Sequence, residues 1–171
     1  MVKTIKKKLS LNNKYAFEKN SLLQQPPPIT IWIHGTRFWR RPLFHAVFND
    51  QPGLRKAEDI PSDYHLHHIS HKLNENAPYT FPLETFYIFG WSGKLNSKIR
   101  DEAAEVLYSQ LETICQDYKA IYGHNPEIRI IAHSHGGNLA LSMAKYKNKE
   151  NPIHINQLIL LACPVQAKTK K

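Results

Sequence analysis

Apolar residues in this chain fall into short continuous runs, separated by stretches in which they recur at every third or fourth position. That is the pattern of buried strands joined by amphipathic helices. Residues 29–33 (Ile-Thr-Ile-Trp-Ile) are β-branched and aromatic and predict a buried strand, and residues 85–91 predict another. Between them, residues 37–55 carry aromatics, Pro42 and Gly53 and predict a loop with a short helix, while residues 63–73 are helical in composition. Further on, Ile99, Ala103, Val106, Leu107, Leu111, Ile114, Tyr118 and Ile121 repeat at three and four, predicting a long helix that Gly123 and Pro126 stop. A third strand leads into Ser134, a helix follows through Tyr146, and the run at residues 155–162 predicts a fourth strand. Strands so continuously apolar are covered on both faces. The expected fold is therefore α/β, a parallel sheet with helices on both faces.

A chain of 171 residues with 42% hydrophobic content fits one globular domain, expected at residues 29–171. Residues 1–28 read as a basic, loosely held lead closed by the stiff spacer Pro26-Pro27-Pro28. No apolar stretch approaches the roughly eighteen residues of a membrane span, and the residues after Met1 are polar where a signal peptide is apolar, so a cytoplasmic location is expected. Cys115 and Cys163 lack metal-ligand spacing and read as reduced core residues. The formal net charge of +9 is concentrated in Lys3, Lys6, Lys7, Lys8 and Lys14, in Lys168, Lys170 and Lys171, and in Lys145, Lys147 and Lys149, which close the helix predicted through Tyr146. Solvated tails and a favourable helix carboxyl terminus account for most of it. This distribution argues against nucleic acid as a partner and leaves weak contact with anionic membrane surfaces as an expectation. It leaves the oligomeric state open.

The chemistry centres on Ala132-His133-Ser134-His135-Gly136-Gly137, where a β run breaks at a serine and resumes as a helix. A serine on such a turn presents its hydroxyl at the carboxyl edge of the sheet, with the helix amino terminus aimed at the reacting centre. Small residues must flank it, and Ala132 and Gly136 do. The plainer reading is a serine that merely caps its helix, which would not need two following glycines. Upstream, His34-Gly35-Thr36 closes the first predicted strand and delivers a loop to the same edge. Attack on an acyl carbon needs two backbone donors for the oxyanion, one after the nucleophile and one from an earlier strand-to-helix loop, and His135 and Thr36 are placed to give them.

These two motifs, in this order and about one hundred residues apart, resemble the α/β-hydrolase superfamily, most closely its lipase/esterase-like and GPI-inositol-deacylase-like members. Phe89-Gly90-Trp91-Ser92-Gly93 fits the strand that neighbours the His-Gly strand in that superfamily. The resemblance implies a serine hydrolase acting on small-molecule or lipid esters, with Ser134 as nucleophile, Thr36 and His135 at the oxyanion, and His34, Gly35, Trp91, Ser92 and Gly136 around the pocket. It implies no cofactor and no metal. It also places the acid and histidine of the triad carboxyl-terminal to the nucleophile, where this sequence has only Glu150, His135 and His154. The expectation is an α/β-hydrolase-like core with its carboxyl-terminal strands missing; the alternative is a truncated, catalytically inactive hydrolase-fold binding protein. Either way, the chain alone is expected to turn esters over slowly.

Other features weigh less. His65, His67, His68 and His71 crowd one segment, and His67 and His71 stand one helical turn apart, but no third ligand follows at a metal-like spacing, so a polar surface helix is expected. Gly90-Trp91-Ser92-Gly93-Lys94 has two residues between its glycines and Leu95 after the lysine, unlike a phosphate loop. Trp39, Arg40 and Arg41 read as a basic turn in preference to a substrate rim.

Overall fold

The computed structural model describes residues 27–36, 52–64, 66–147, 150 and 152–164. Among them five strands form one sheet: β1 (Ile29–Ile33), β2 (Gly53–Lys56), β3 (Phe86–Gly90), β4 (Ile128–His133) and β5 (Gln157–Leu161), in the order β2-β3-β1-β4-β5. β1 runs parallel to both β3 and β4, and β4 parallel to β5. The pairing of β3 with β1 is the neighbour relation that the resemblance implied.

The sheet is parallel, as expected, except at one edge. β2 lies antiparallel at the edge, Gly53 opposite Gly90, in a segment expected to be loop and short helix. Four residues are too few to show a period, and Arg55 and Lys56 give them a polar cast. Tertiary contacts set the strand: the ladder with β3, and a bond from Leu54 N–H to Gln110 Oε1 at 2.6 Å. The remainder of the 37–51 stretch, with the Trp39-Arg40-Arg41 turn, lies outside the described residues, as do His65 and the basic tails.

Three helices follow: α1 (His67–Asn76), α2 (Ser97–Tyr122) and α3 (His135–Ser142), the last running on into a 3-10 turn, Met143–Tyr146. Side chains alternate across a strand, so each central strand serves both faces. Ile29, Ile31, Ile33, Ile128, Ile130 and Ala132 meet Ala103, Ala104, Leu107 and Leu111 of α2 and Leu139 of α3. Phe86, Ile88 and Trp32 meet Ile69 and Leu73 of α1 on the other face. The helices thus cover both faces, as the apolar runs required.

α2 is held at both ends by local chemistry. The Asn96 side chain accepts from Lys98 N–H and Ile99 N–H, and Gly123 takes the left-handed conformation (φ 80°) that releases the chain. Ile121, assigned to the apolar stripe, is 74% exposed, because the last turn projects past the sheet. At the opposite edge β5 is apolar from Leu158 to Leu161, yet Leu158, Leu160 and Leu161 remain about two-fifths exposed, and among the described residues no strand pairs with its outer side. No helix among the described residues is long and apolar enough to cross a membrane.

Candidate active site

Register fixes the geometry of the site. Ile33 pairs with Ala132, so the chain leaves β1 at His34-Gly35 beside the point where it leaves β4 at His133-Ser134. Ser134 adopts φ 52°, ψ −130°, a conformation that costs a non-glycine residue about 1–3 kcal/mol and persists only where its surroundings enforce it. Two bonds enforce it here: Ser134 N–H to Leu161 O at the end of β5 (2.8 Å), and Gly137 N–H to Ser134 O (3.0 Å). The Ser134 hydroxyl makes no capping bond to α3, so the plain cap role is not the one it fills.

The glycines around Ser134 are dictated by space. A Cβ on Gly136 would lie 2.6 Å from His34 O and 2.8 Å from Ile33 O; only a bare Cα lets α3 begin against the end of β1. A Cβ on Gly35 would lie 2.7 Å from Ser134 Cβ and 3.2 Å from His133 Nδ1, which sets the His34-Gly35 loop directly against the serine. A Cβ on Gly137 would run into Cys163 Sγ. That packing of the residues after β5 beneath the turn was not legible in the sequence, since nothing local links positions 137 and 163. Cys163 is half-buried, with its thiol directed at Ala132 O (3.4 Å).

The remaining expected pocket residues divide. His34 is buried, its ring stacked on Trp91 (centroids 5.8 Å apart), and its Nδ1–H donates to Gly35 O at 2.7 Å. Trp91, expected beside His34 at the rim, does lie beside it but is wholly buried, and its indole N–H donates to His34 O at 2.9 Å. It anchors the His34 loop from below. Ser92 turns back on its own loop and accepts from Lys94 N–H at 3.4 Å. The Thr36 hydroxyl is enclosed with no partner among the described residues.

No imidazole is seen bonded to Ser134 among the described contacts of its neighbours. Asn138 Nδ2 donates to His135 Nδ1 at 3.3 Å, which leaves the proton of a neutral His135 ring on Nε2, so that nitrogen is a donor rather than a base. His154 lines a cavity with Asn125, Pro126 and Ile128, at the amino edge of the sheet, opposite Ser134, as its place before the last run implied. Another cavity, about 350 Å³, is apolar and runs between α3 and β5. Cys115, the other thiol, is half-buried; burial, and then Glu112, push its pKa up to about 11, so it stays protonated and inert.

His67, His68 and His71 fall in the first turns of α1. His67 and His71 stack face to face, centroids 3.8 Å apart at 21°, and burial first, then His71 and His68, hold the His67 pKa below its ordinary value. Imidazole lone pairs lie in the ring plane, so two stacked rings direct them side by side and not toward a common point. Equimolar zinc is therefore expected to leave the melting temperature unchanged; a rise of several degrees, lost in His71→Ala, would contradict this.

Residues 94–170 match the family model described as the PGAP1-like alpha/beta domain, a span that takes in α2, the Ser134 turn, α3 and β5. No curated protein and no solved structure matches the chain. A mostly parallel sheet covered on both faces, with this match across the Ser134 turn, makes the chain an α/β-hydrolase-like fold, similar over residues 94–170 to the PGAP1-like alpha/beta domain.

Proposed function

We propose that this chain is a serine hydrolase of carboxylic esters, with Ser134 as its nucleophile. The observation that carries the reading is the backbone of Ser134: a non-glycine residue held at φ 52° between strand and helix, its hydroxyl not used to cap that helix. Strain of this kind is retained where it aims a reactive group. In the reaction Ser134 Oγ attacks the acyl carbon and its proton passes to a base. The oxyanion is held by the N–H groups of His135, at the start of α3, and Thr36, in the loop beside it; collapse of the adduct releases the alcohol, which takes the proton back from the base, and water then cleaves the acyl–Ser134 ester through the same oxyanion, giving the acid and restoring the Ser134 hydroxyl. The substrate is a small-molecule or lipid ester.

A second reading, a hydrolase-like fold that binds without catalysing, is favoured by one set of contacts. His135 accepts from Asn138 through Nδ1, and His154 sits at the far edge, so neither ring offers Ser134 a base. An elbow and oxyanion hole without their base still accelerate acyl transfer, by about 10³-fold in a well-studied protease. Slow labelling of the chain by a fluorophosphonate probe, and slow turnover of p-nitrophenyl acetate, are therefore expected, both lost in Ser134→Ala. Complete absence of labelling at high probe concentration would favour the binding protein. Fast stoichiometric labelling would show that a histidine of this chain reaches the serine, and His34→Ala, His133→Ala and His135→Ala would identify it.

A further inference from the structure

We propose that Arg100 forms the base of a binding site for an oxyanion group, a phosphate or a carboxylate, under the first turn of α2. The proposal is independent of the role of Ser134. Arg100 lies on the face of α2 that also carries Ala103, Ala104 and Leu107 into the core, and is itself only 9% exposed. Its Nε–H is enclosed, and no acceptor among the described residues meets it.

The acids closest in sequence make their ion pairs elsewhere, and Asp101 meets Arg100 only through the field of its charge. Asp101 pairs with Lys145 at 2.7 Å, and Lys98 approaches Glu102 at 3.9 Å. A buried lysine in this position could lose its proton, but a guanidinium cannot, so the charge stays and calls for a counter-charge. The amides of Lys98 and Ile99 are already taken by the Asn96 side chain, so the guanidinium, not the helix terminus, would hold the ligand. The positive end of the α2 dipole adds to its field. A planar fork of N–H donors fits two oxygens of one phosphate or carboxylate, and a spherical halide fits it poorly. α2 starts after β3 ends, so this site belongs to the same carboxyl end of the sheet as Ser134.

The test is thermal unfolding of the full chain at fixed ionic strength, titrated with inorganic phosphate, acetate or chloride, with phosphate binding followed in parallel by calorimetry. Saturable stabilisation by phosphate or acetate, but not chloride, is expected, amounting to roughly 5–10 °C at a hundredfold excess over Kd. The stronger of the two anions identifies the group recognised. Arg100→Met is expected to melt higher than the parent in anion-free buffer, because an unpaired buried charge has gone, and to lose the phosphate response; Arg100→Lys is expected to bind more weakly than the parent. Three results would each overturn the proposal. Arg100→Met could melt lower than the parent, meaning the charge is already paired within the chain. The response could survive in Arg100→Met, placing the anion on surface lysines. Or the parent could respond to neither oxyanion.

Discussion

Gly136→Ala is expected to destabilise the protein by about 3 kcal/mol or more, lowering its melting temperature by roughly 10 °C. Propensity alone predicts the opposite sign, since alanine in a helix is favoured over glycine by about 1 kcal/mol. Space decides it. The added Cβ would meet His34 O at 2.6 Å and Ile33 O at 2.8 Å, and both are backbone atoms at the end of β1, without a rotamer to give way. α3 would have to lift from the sheet, withdrawing Leu139 from the core and pulling at the Ser134 turn. Gly53→Ala is the matched control. There the nearest atoms are those of the Gln110 amide, at 3.6 Å and beyond, so the change is expected to stay within about 0.5 kcal/mol. Denaturant unfolding of the two variants measures the difference directly, and equal midpoints would mean that α3 does not approach β1 as closely as described.

How much of this was legible in the sequence follows from the range of the forces involved. β1, β3 and β4 could be read because strands buried on both faces are mostly apolar, with Thr30 and Arg129 as polar exceptions, and each residue meets that demand by its own type. α2 could be read from its stripe and from Gly123, with an error only at Ile121, where the period continues beyond the sheet it serves. β2 could not: its pairing comes from β3 and Gln110, and its own four residues say nothing decisive. In the site, the serine, the small residues around it and the His-Gly loop were legible because a sharp strand-to-helix turn restricts residue type. The contact of Gly137 with Cys163 and the burial of Trp91 under His34 are tertiary, linking positions that no local pattern connects. Arg100 was missed for a related reason. A charge inside an apolar stripe reads as one irregular position until the structure shows which way that face points.

Stability measurements on Ser134 can separate an elbow from a cap without any substrate. If the serine were a helix cap, its hydroxyl would satisfy an amide of α3; Ser134→Ala would then cost about 1 kcal/mol and Ser134→Gly only a few tenths. The conformation seen reverses that order. Alanine at φ 52° carries the same strain as serine and loses no capping bond, so Ser134→Ala is expected to be close to neutral. Glycine takes this conformation freely. Its greater entropy in the unfolded chain offsets about 0.4–1 kcal/mol of the 1–3 kcal/mol of strain relieved, and Ser134→Gly is expected to be more stable than the parent by about 1 kcal/mol. The same variant removes the only atom at position 134 that could attack an ester, so it should take up no fluorophosphonate probe at all. Gain of stability with loss of labelling is the combination expected of a residue kept for its chemistry against its conformational preference. A Ser134→Gly variant less stable than Ser134→Ala would show that the turn is relaxed, and with it would go the observation on which the hydrolase reading rests.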